Sequence, residues 1–210
     1  MFNVDVKRLY KSELRLVSFT IAITVTILFI LPDQTTWAAI MYCPTTTAVC
    51  NGTTGDDIIV ATTPNLIIHG LGGNDNIFGY GYGNNYIFGD DGNDILIGGT
   101  LNDGLYGGKG DDKYDGLEGD DTIYEGVALG YTISNDVISG GLGDDFIFAD
   151  GGADIINGGP GNDYIFPNSF HRDFSSDSVD CGSGTDIVHS FYSGDRDSAI
   201  YCEDIENKDG

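Results

Sequence analysis

A nine-residue repeat runs through most of this 210-residue chain and limits the folds that it can adopt. Three of its clearest units are GDDGNDILI from Gly89, GGLGDDFIF from Gly140 and GGPGNDYIF from Gly158. Glycine is favoured at positions 1, 2 and 4, aspartate at position 6, and position 8 is apolar or aromatic in all fourteen units. Because this register survives three insertions, chance does not explain it.

The repeat predicts an all-β protein. Glycine allows a tight turn at positions 1 to 4, and side chains alternate along the short strand at positions 7 to 9, so position 8 points inward. Two units form one coil of 18 residues, and stacked coils bury two columns of position 8. The 28 aspartates against 5 glutamates agree, because aspartate disfavours helix interiors. We therefore predict a parallel β-roll, a β-solenoid built from nonapeptide repeats.

The same stacking places the sixth-position side chains in two columns, with like turns above one another. Stacked carboxylates repel, and bare turn carbonyls lack donors, so a hard divalent cation would satisfy both. Calcium accepts six to eight oxygens in irregular geometry, whereas magnesium demands a stricter octahedron. The candidate metal ligands are Asp57, Asp75, Asn85, Asp94, Asp103, Asp112, Asp121, Asp136, Asp145, Asp154, Asp163, Asp177 and Asp186. Leu66 and Asn85 are the two departures from aspartate in this series.

The unit resembles the glycine-rich nonapeptide of the RTX, or haemolysin-type, calcium-binding family. The resemblance extends from about Gly52 to His189. It implies a right-handed parallel β-roll that folds on binding several calcium ions, each held between adjacent like turns by position 6 and loop carbonyls. In the first column the best-matched pairs are Asp94 with Asp112 and Asp136 with Asp154, and the second column offers Asp103 with Asp121 and Asp145 with Asp163.

The first 38 residues form a separate segment. Four basic residues precede an uncharged apolar run from Leu16 to Leu31, which is typical of a signal peptide, and cleavage is predicted after Ala38. An uncleaved membrane anchor is the alternative. We predict that residues 39–51 form an N-terminal cap, residues 52–189 the RTX calcium-binding roll, and residues 190–210 a C-terminal cap or tail.

The four cysteines agree with export. Proximity in sequence favours pairing Cys43 with Cys50 and Cys181 with Cys202, one pair at each end of the repeats. A structural zinc site is disfavoured, because no C-x-x-C pair is present.

The formal charge of −24 opposes binding to nucleic acid or to anionic lipid, and it favours calcium ions as partners. No nucleophile motif occurs, and His69 and His189 lie within the repeats, so we expect no enzymatic activity. The sequence predicts a secreted calcium-binding protein, or a cell-surface protein if the N-terminal segment is retained. The alternative is a calcium-stabilised adhesin or ligand-recognition protein that uses the inserted loops 125–133 and 167–175.

Overall fold

The computed structural model describes residues 39–43, 48–79, 83–126, 133–167, 175–189 and 198–206. The predicted N-terminal segment, His171 and most of both inserted loops lie outside these residues. The described part of the chain consists of strands and turns, and it contains no helix long and apolar enough to cross a membrane.

Two nine-stranded parallel sheets form a β-solenoid, which confirms the predicted fold. Successive strands alternate between the sheets. The first sheet contains β1 (Ala39–Tyr42), β3 (Asp57–Val60), β5 (Asn76–Phe78), β7 (Ile95–Gly99), β9 (Lys113–Glu118), β11 (Val137–Leu142), β13 (Ile155–Pro160), β15 (Ser178–Ser183) and β17 (Ser198–Ile200), in that order. The second sheet contains β2 (Val49–Asn51), β4 (Ile67–His69), β6 (Tyr86–Asp91), β8 (Gly104–Lys109), β10 (Thr122–Tyr124), β12 (Phe146–Phe148), β14 (Tyr164–Phe166), β16 (Ile187–His189) and β18 (Asp204–Glu206).

The pairing register keeps equivalent repeat positions side by side. In β3 and β5, Ile59 pairs with Ile77, and in β10 and β12, Ile123 pairs with Ile147. The second pair is formed by strands on either side of the insertion that begins at residue 125, and its register is the same as elsewhere. The sheets therefore continue through the breaks in the sequence period.

The core consists of the two predicted columns of eighth-position side chains. Position 8 is apolar and lies on the inward face of each short strand, and these side chains are at most 3% exposed. The columns are Ile59, Ile77, Leu96, Tyr114, Ile138, Ile156 and Val179 in the first sheet, and Ile68, Ile87, Leu105, Ile123, Ile147, Ile165 and Val188 in the second. Tyr114 is the one aromatic member, and its hydroxyl lies 3.5 Å from Asp112 Oδ2.

Position 9 of the second sheet carries a column of rings on its outer face. The His69 and Phe88 ring centroids are 4.6 Å apart, those of Phe88 and Tyr106 are 4.7 Å apart, and both pairs are stacked. These spacings follow from the distance of about 4.8 Å between neighbouring strands. The column therefore gives this sheet cross-strand ring contacts along much of its length.

Disulfides join Cys43 to Cys50 and Cys181 to Cys202, the pairing that proximity favoured. Cys50 lies in β2 and Cys181 in β15, and both are buried. Paired strands flank both disulfides: β1 ends just before Cys43, and β17 and β18 stand before and after Cys202. The disulfides therefore constrain segments that are themselves part of the sheets.

We expect the Cys181→Ala/Cys202→Ala variant to lose about 3 kcal/mol in its free energy of unfolding, because that disulfide closes a loop with a sequence separation of 21. Cys43→Ala/Cys50→Ala should lose about 1 kcal/mol less, because its separation is 7. Urea unfolding in saturating calcium measures both values. A larger loss from the N-terminal pair would contradict the loop-closure explanation.

Candidate metal centre

The structure gathers all the predicted sixth-position residues into two inward-facing columns, one at each long edge of the roll. Each residue stands just before, or at the start of, a strand and is at most 3% exposed. The first column precedes the strands of the first sheet and contains Asp57, Asp75, Asp94, Asp112, Asp136, Asp154 and Asp177. The second column precedes the strands of the second sheet and contains Asn85, Asp103, Asp121, Asp145, Asp163 and Asp186, with Leu66 before them.

In the sixth-position aspartates after Asp57, one carboxylate oxygen accepts a hydrogen bond from the backbone of the neighbouring coil. The amide of Asp57 donates to Asp75 Oδ1 at 2.7 Å, and the amide of Asp94 donates to Asp112 Oδ1 at the same distance. In the second column, the amide of Asp103 donates to Asp121 Oδ1 at 2.7 Å. We call this repeating series of hydrogen bonds between coils a ladder. Because the same bond recurs from coil to coil, the ladder holds these carboxylates in one orientation.

The other oxygen is left without a hydrogen bond in most turns. Burial of a polar atom without a partner costs free energy, and such atoms are rare in folded proteins. Within the described residues, the buried Oδ2 atoms that lack a hydrogen-bond partner include those of Asp75, Asp94, Asp103, Asp121, Asp145, Asp163 and Asp186. A regular series of such atoms indicates that a positive ligand, which the described side chains do not supply, belongs beside them.

The glycine at position 1 provides the space for that ligand. A Cβ atom placed on Gly89 would lie 2.3 Å from Asp94 Oδ2 and 2.7 Å from the carbonyl oxygen of Gly107 in the next coil. In the second column, a Cβ atom on Gly140 would lie 2.4 Å from Asp145 Oδ2 and 2.5 Å from the carbonyl oxygen of Gly158. A carboxylate oxygen and a carbonyl oxygen therefore converge at each such glycine, and both are ligands that hard cations prefer.

Burial also makes the charged form of these carboxylates unfavourable. Burial raises the pKa of both Asp94 and Asp112, neighbouring aspartates in the column add to the rise, and backbone hydrogen bonds oppose it. The resulting pKa is about 7 for Asp94 and about 8 for Asp112. In the second column, the pKa of Asp121 rises to about 7 and that of Asp145 to about 8 for the same reasons. A cation would offset this penalty and compete with protons for the same oxygens.

The N-terminal end of the second column is satisfied without a cation. The side-chain amide of Asn85 donates to the carbonyl oxygens of Gly79 at 3.1 Å and Gly83 at 3.0 Å. Leu66 has no ligand atom, and its backbone amide donates to Asn85 Oδ1 at 3.1 Å. In the first column, Asp57 Oδ2 accepts a hydrogen bond from the Thr53 amide at 2.6 Å. The buried Oδ2 atoms without a hydrogen-bond partner therefore begin after these residues.

Comparison with protein-family models agrees with this geometry. Four copies of the model for the RTX calcium-binding nonapeptide repeat match residues 51–81, 69–105, 102–123 and 132–165. The chain belongs to this family. The matched ranges of the RTX repeat contain both columns from Asp57 to Asp163. A search of curated proteins found no match.

A second pair of ladders, outside the RTX sixth position, was missed by the sequence reasoning. Position 5 is asparagine or aspartate in most units, and its side chain accepts from the backbone of the next coil. The Asn93 amide donates to Asn74 Oδ1 at 2.9 Å, and the Asn162 amide donates to Asp144 Oδ1 at 2.7 Å. The preference at position 5 was visible in the repeat alignment, and it was the signal that could have identified these residues.

Two glutamates were also missed, and neither lies at a sixth position. Glu203 accepts from the amide of Asp186 at 2.8 Å and so continues the second column beyond the last repeat. Glu125 is fully buried beside the first column. Glu203 lies in the predicted C-terminal tail and Glu125 at the start of an insertion, so the nine-residue period carried no signal for either.

Proposed function

We propose that this protein is a secreted, noncatalytic calcium-binding β-roll that becomes rigid when several calcium ions occupy the sixth-position columns. The series of buried Oδ2 atoms without partners carries this proposal, and in six of them, those of Asp75, Asp94, Asp103, Asp121, Asp145 and Asp163, a position-1 glycine and a carbonyl of the next coil lie alongside. Membership of the RTX calcium-binding repeat family supports the choice of ion. The residues that would hold the ions are the predicted aspartates of the two columns.

The ligand chemistry favours calcium over other metals. The columns offer carboxylate and backbone carbonyl oxygens, and the cysteines are joined in disulfides, so soft-metal ligands are absent from the described columns. Stacked turns supply oxygens at intervals set by strand spacing, which suits the flexible coordination of calcium better than the octahedron of magnesium. The formal charge of −24 would also concentrate divalent cations around the chain.

Two observations support action outside the cell. The paired cysteines are typical of proteins from oxidising compartments, and extracellular calcium is high enough to fill weak sites. The signal-like residues 1–38 point the same way, with retention at the cell surface if the segment is not cleaved. The absence of a nucleophile motif in the sequence supports a noncatalytic role.

Gly89→Ala tests this proposal directly. The added methyl group would occupy the space between Asp94 Oδ2 and the Gly107 carbonyl, and residue 89 does not have a positive φ that would strain the backbone. We expect the variant to bind at least one calcium ion fewer than the wild type in isothermal titration calorimetry. Wild-type titrations should show weaker binding of magnesium.

Gly55→Ala is the matched control, because a Cβ atom there meets nothing closer than Thr53 Oγ1 at 4.0 Å. It should bind as many calcium ions as the wild type. If Gly89→Ala folds and binds as many calcium ions as the wild type, the space between Asp94 Oδ2 and the Gly107 carbonyl is not a calcium site. If the wild type binds no calcium, the proposed function is wrong.

A further inference from the structure

Glu125 occupies a place that glycine takes elsewhere in the first column. The amide of Gly70, at position 1, donates to the carbonyl of Phe88 in the next coil at 2.8 Å. The amide of Glu125 donates in the same way to the carbonyl of Phe148 at 3.0 Å. Glu125 therefore stands at position 1 of the turn that leads to Asp136, and it brings a carboxylate into space that glycine leaves open in earlier turns.

The Glu125 side chain points into the roll rather than toward solvent. It is fully buried, and one carboxylate oxygen from each of Glu125, Asp136 and Asp154 lies within 4.8 Å of the other two. Asp136 and Asp154 are neighbours in the first column, and both are 1% exposed. Three acidic groups from adjacent coils thus meet in a water-excluded space.

Hydrogen bonds hold Glu125 in this position. Its Oε1 accepts from the Ser134 hydroxyl at 2.8 Å, and its Oε2 accepts from the Asp150 amide at 2.7 Å. Both donors are neutral, so they orient the carboxylate without cancelling its charge. No described lysine or arginine forms an ion pair with this group; the ion pair of Lys109 is with Asp91.

Asp136 provides a separate indication of a ligand. Its Oδ1 accepts from the Asp112 amide at 2.6 Å, whereas its Oδ2 is buried and has no hydrogen-bond partner. An oxygen that is sealed from water beside two further carboxylates lacks a positive neighbour. Either a proton shared with Glu125 or a metal ion must supply the missing charge.

We propose that Glu125, Asp136 and Asp154 form an internal calcium site whose ligand set differs from that of the glycine turns. Calcium–oxygen distances of 2.3–2.6 Å allow two ligand oxygens to lie up to about 4.6–5.2 Å apart. The three carboxylate oxygens lie within 4.8 Å of one another, so one ion could contact all of them. Three carboxylates also supply more negative charge than the single carboxylate and carbonyl at Gly89.

The next turn of the first column also lacks the glycine at position 1. Ala149 stands at position 1 of the turn that leads to Asp154, since its amide donates to the Phe166 carbonyl at 2.9 Å. Its methyl group is fully buried where earlier turns have glycine. The position-1 glycine seen at Gly89 is therefore replaced by a larger residue at both 125 and 149. The side chain of Glu125 supplies the additional oxygen ligand. This proposal rests on the proposed function, because Asp136 and Asp154 also belong to the first column.

Glu125→Gln in the full chain tests this site, because the substitution keeps the shape and removes the charge. We expect it to bind one calcium ion fewer than the wild type by equilibrium dialysis. Glu118→Gln is the matched control, since Glu118 is exposed at the end of β9, and it should bind the wild-type number. Retention of every ion by Glu125→Gln would overturn the proposal and assign a proton to the cluster.

Two further comparisons separate the possible failures. If Glu125→Gln does not fold, Glu125→Asp retains the charge on a shorter side chain, and it should weaken one calcium site by about tenfold or more. Unchanged affinity in that variant would overturn the site. If Gly89→Ala loses calcium and Glu125→Gln does not, the internal site is wrong while the proposed function stands. If the wild type binds no calcium, both are wrong.

Discussion

Removal of calcium at pH 7.5 is expected to unfold the roll. Without cations, each column holds buried carboxylates at the spacing of adjacent strands, and several of their Oδ2 atoms, including those of Asp94 and Asp145, have no hydrogen-bond partner. Burial away from water and repulsion between neighbours then make the ionised form of these carboxylates unfavourable. Because each coil contacts chiefly its neighbours, loss of this stacking spreads along the solenoid.

Far-UV circular dichroism with added chelator measures this effect. The β signal should fall in a cooperative transition and return when calcium is added in excess, while magnesium at the same concentration should restore less of it. A spectrum that stays folded in chelator at pH 7.5 would show that the columns do not depend on metal.

Acid is expected to replace calcium as a stabiliser of the metal-free chain. Burial raises the pKa of Asp112 and Asp145 to about 8 in the folded state, against about 3.9 for an unfolded aspartate. Between these values the folded chain binds more protons than the unfolded chain, so the free energy of unfolding falls as pH rises. In chelator, the β signal should therefore be stronger near pH 5 than near pH 8.

The same titration in saturating calcium is the first control, and its stability should depend much less on pH over this interval. Asp112→Asn is the second, because a neutral amide removes one titrating charge from the first column. In chelator near pH 8 this variant should unfold at a higher urea concentration than the wild type, although it should bind fewer calcium ions. A metal-free chain that gains stability as pH rises would contradict the account.

The repeat register alone was enough to predict the core and the stacking of the sixth-position side chains in two columns. Ile77 and Asp94 are informative because their side-chain types recur at fixed positions, and the alternation of a strand decides which of them point inward. The same logic made the parallel sheets predictable, since a unit with one short strand has to stack on its neighbours to bury its apolar side chain.

Other features depend on contacts between coils that no single unit contains. The nine-residue pattern places Asn85 at a ligand position, yet only the structure shows its amide donating to the carbonyls of Gly79 and Gly83. Similarly, the position-5 preference was visible in the sequence, but the donor to each side chain belongs to another coil.

Glu125 marks the limit of the sequence reasoning most clearly. It lies at the start of an insertion, where the period is interrupted, so its sequence context did not reveal that it occupies a position-1 site. Backbone pairing with Phe148 fixes that register, and burial then directs the carboxylate toward Asp136 and Asp154. The sequence determined the repeating turn, strand and core because these follow from local chemistry, whereas the tertiary structure decided which coils meet across the insertion and so which carboxylates share one space.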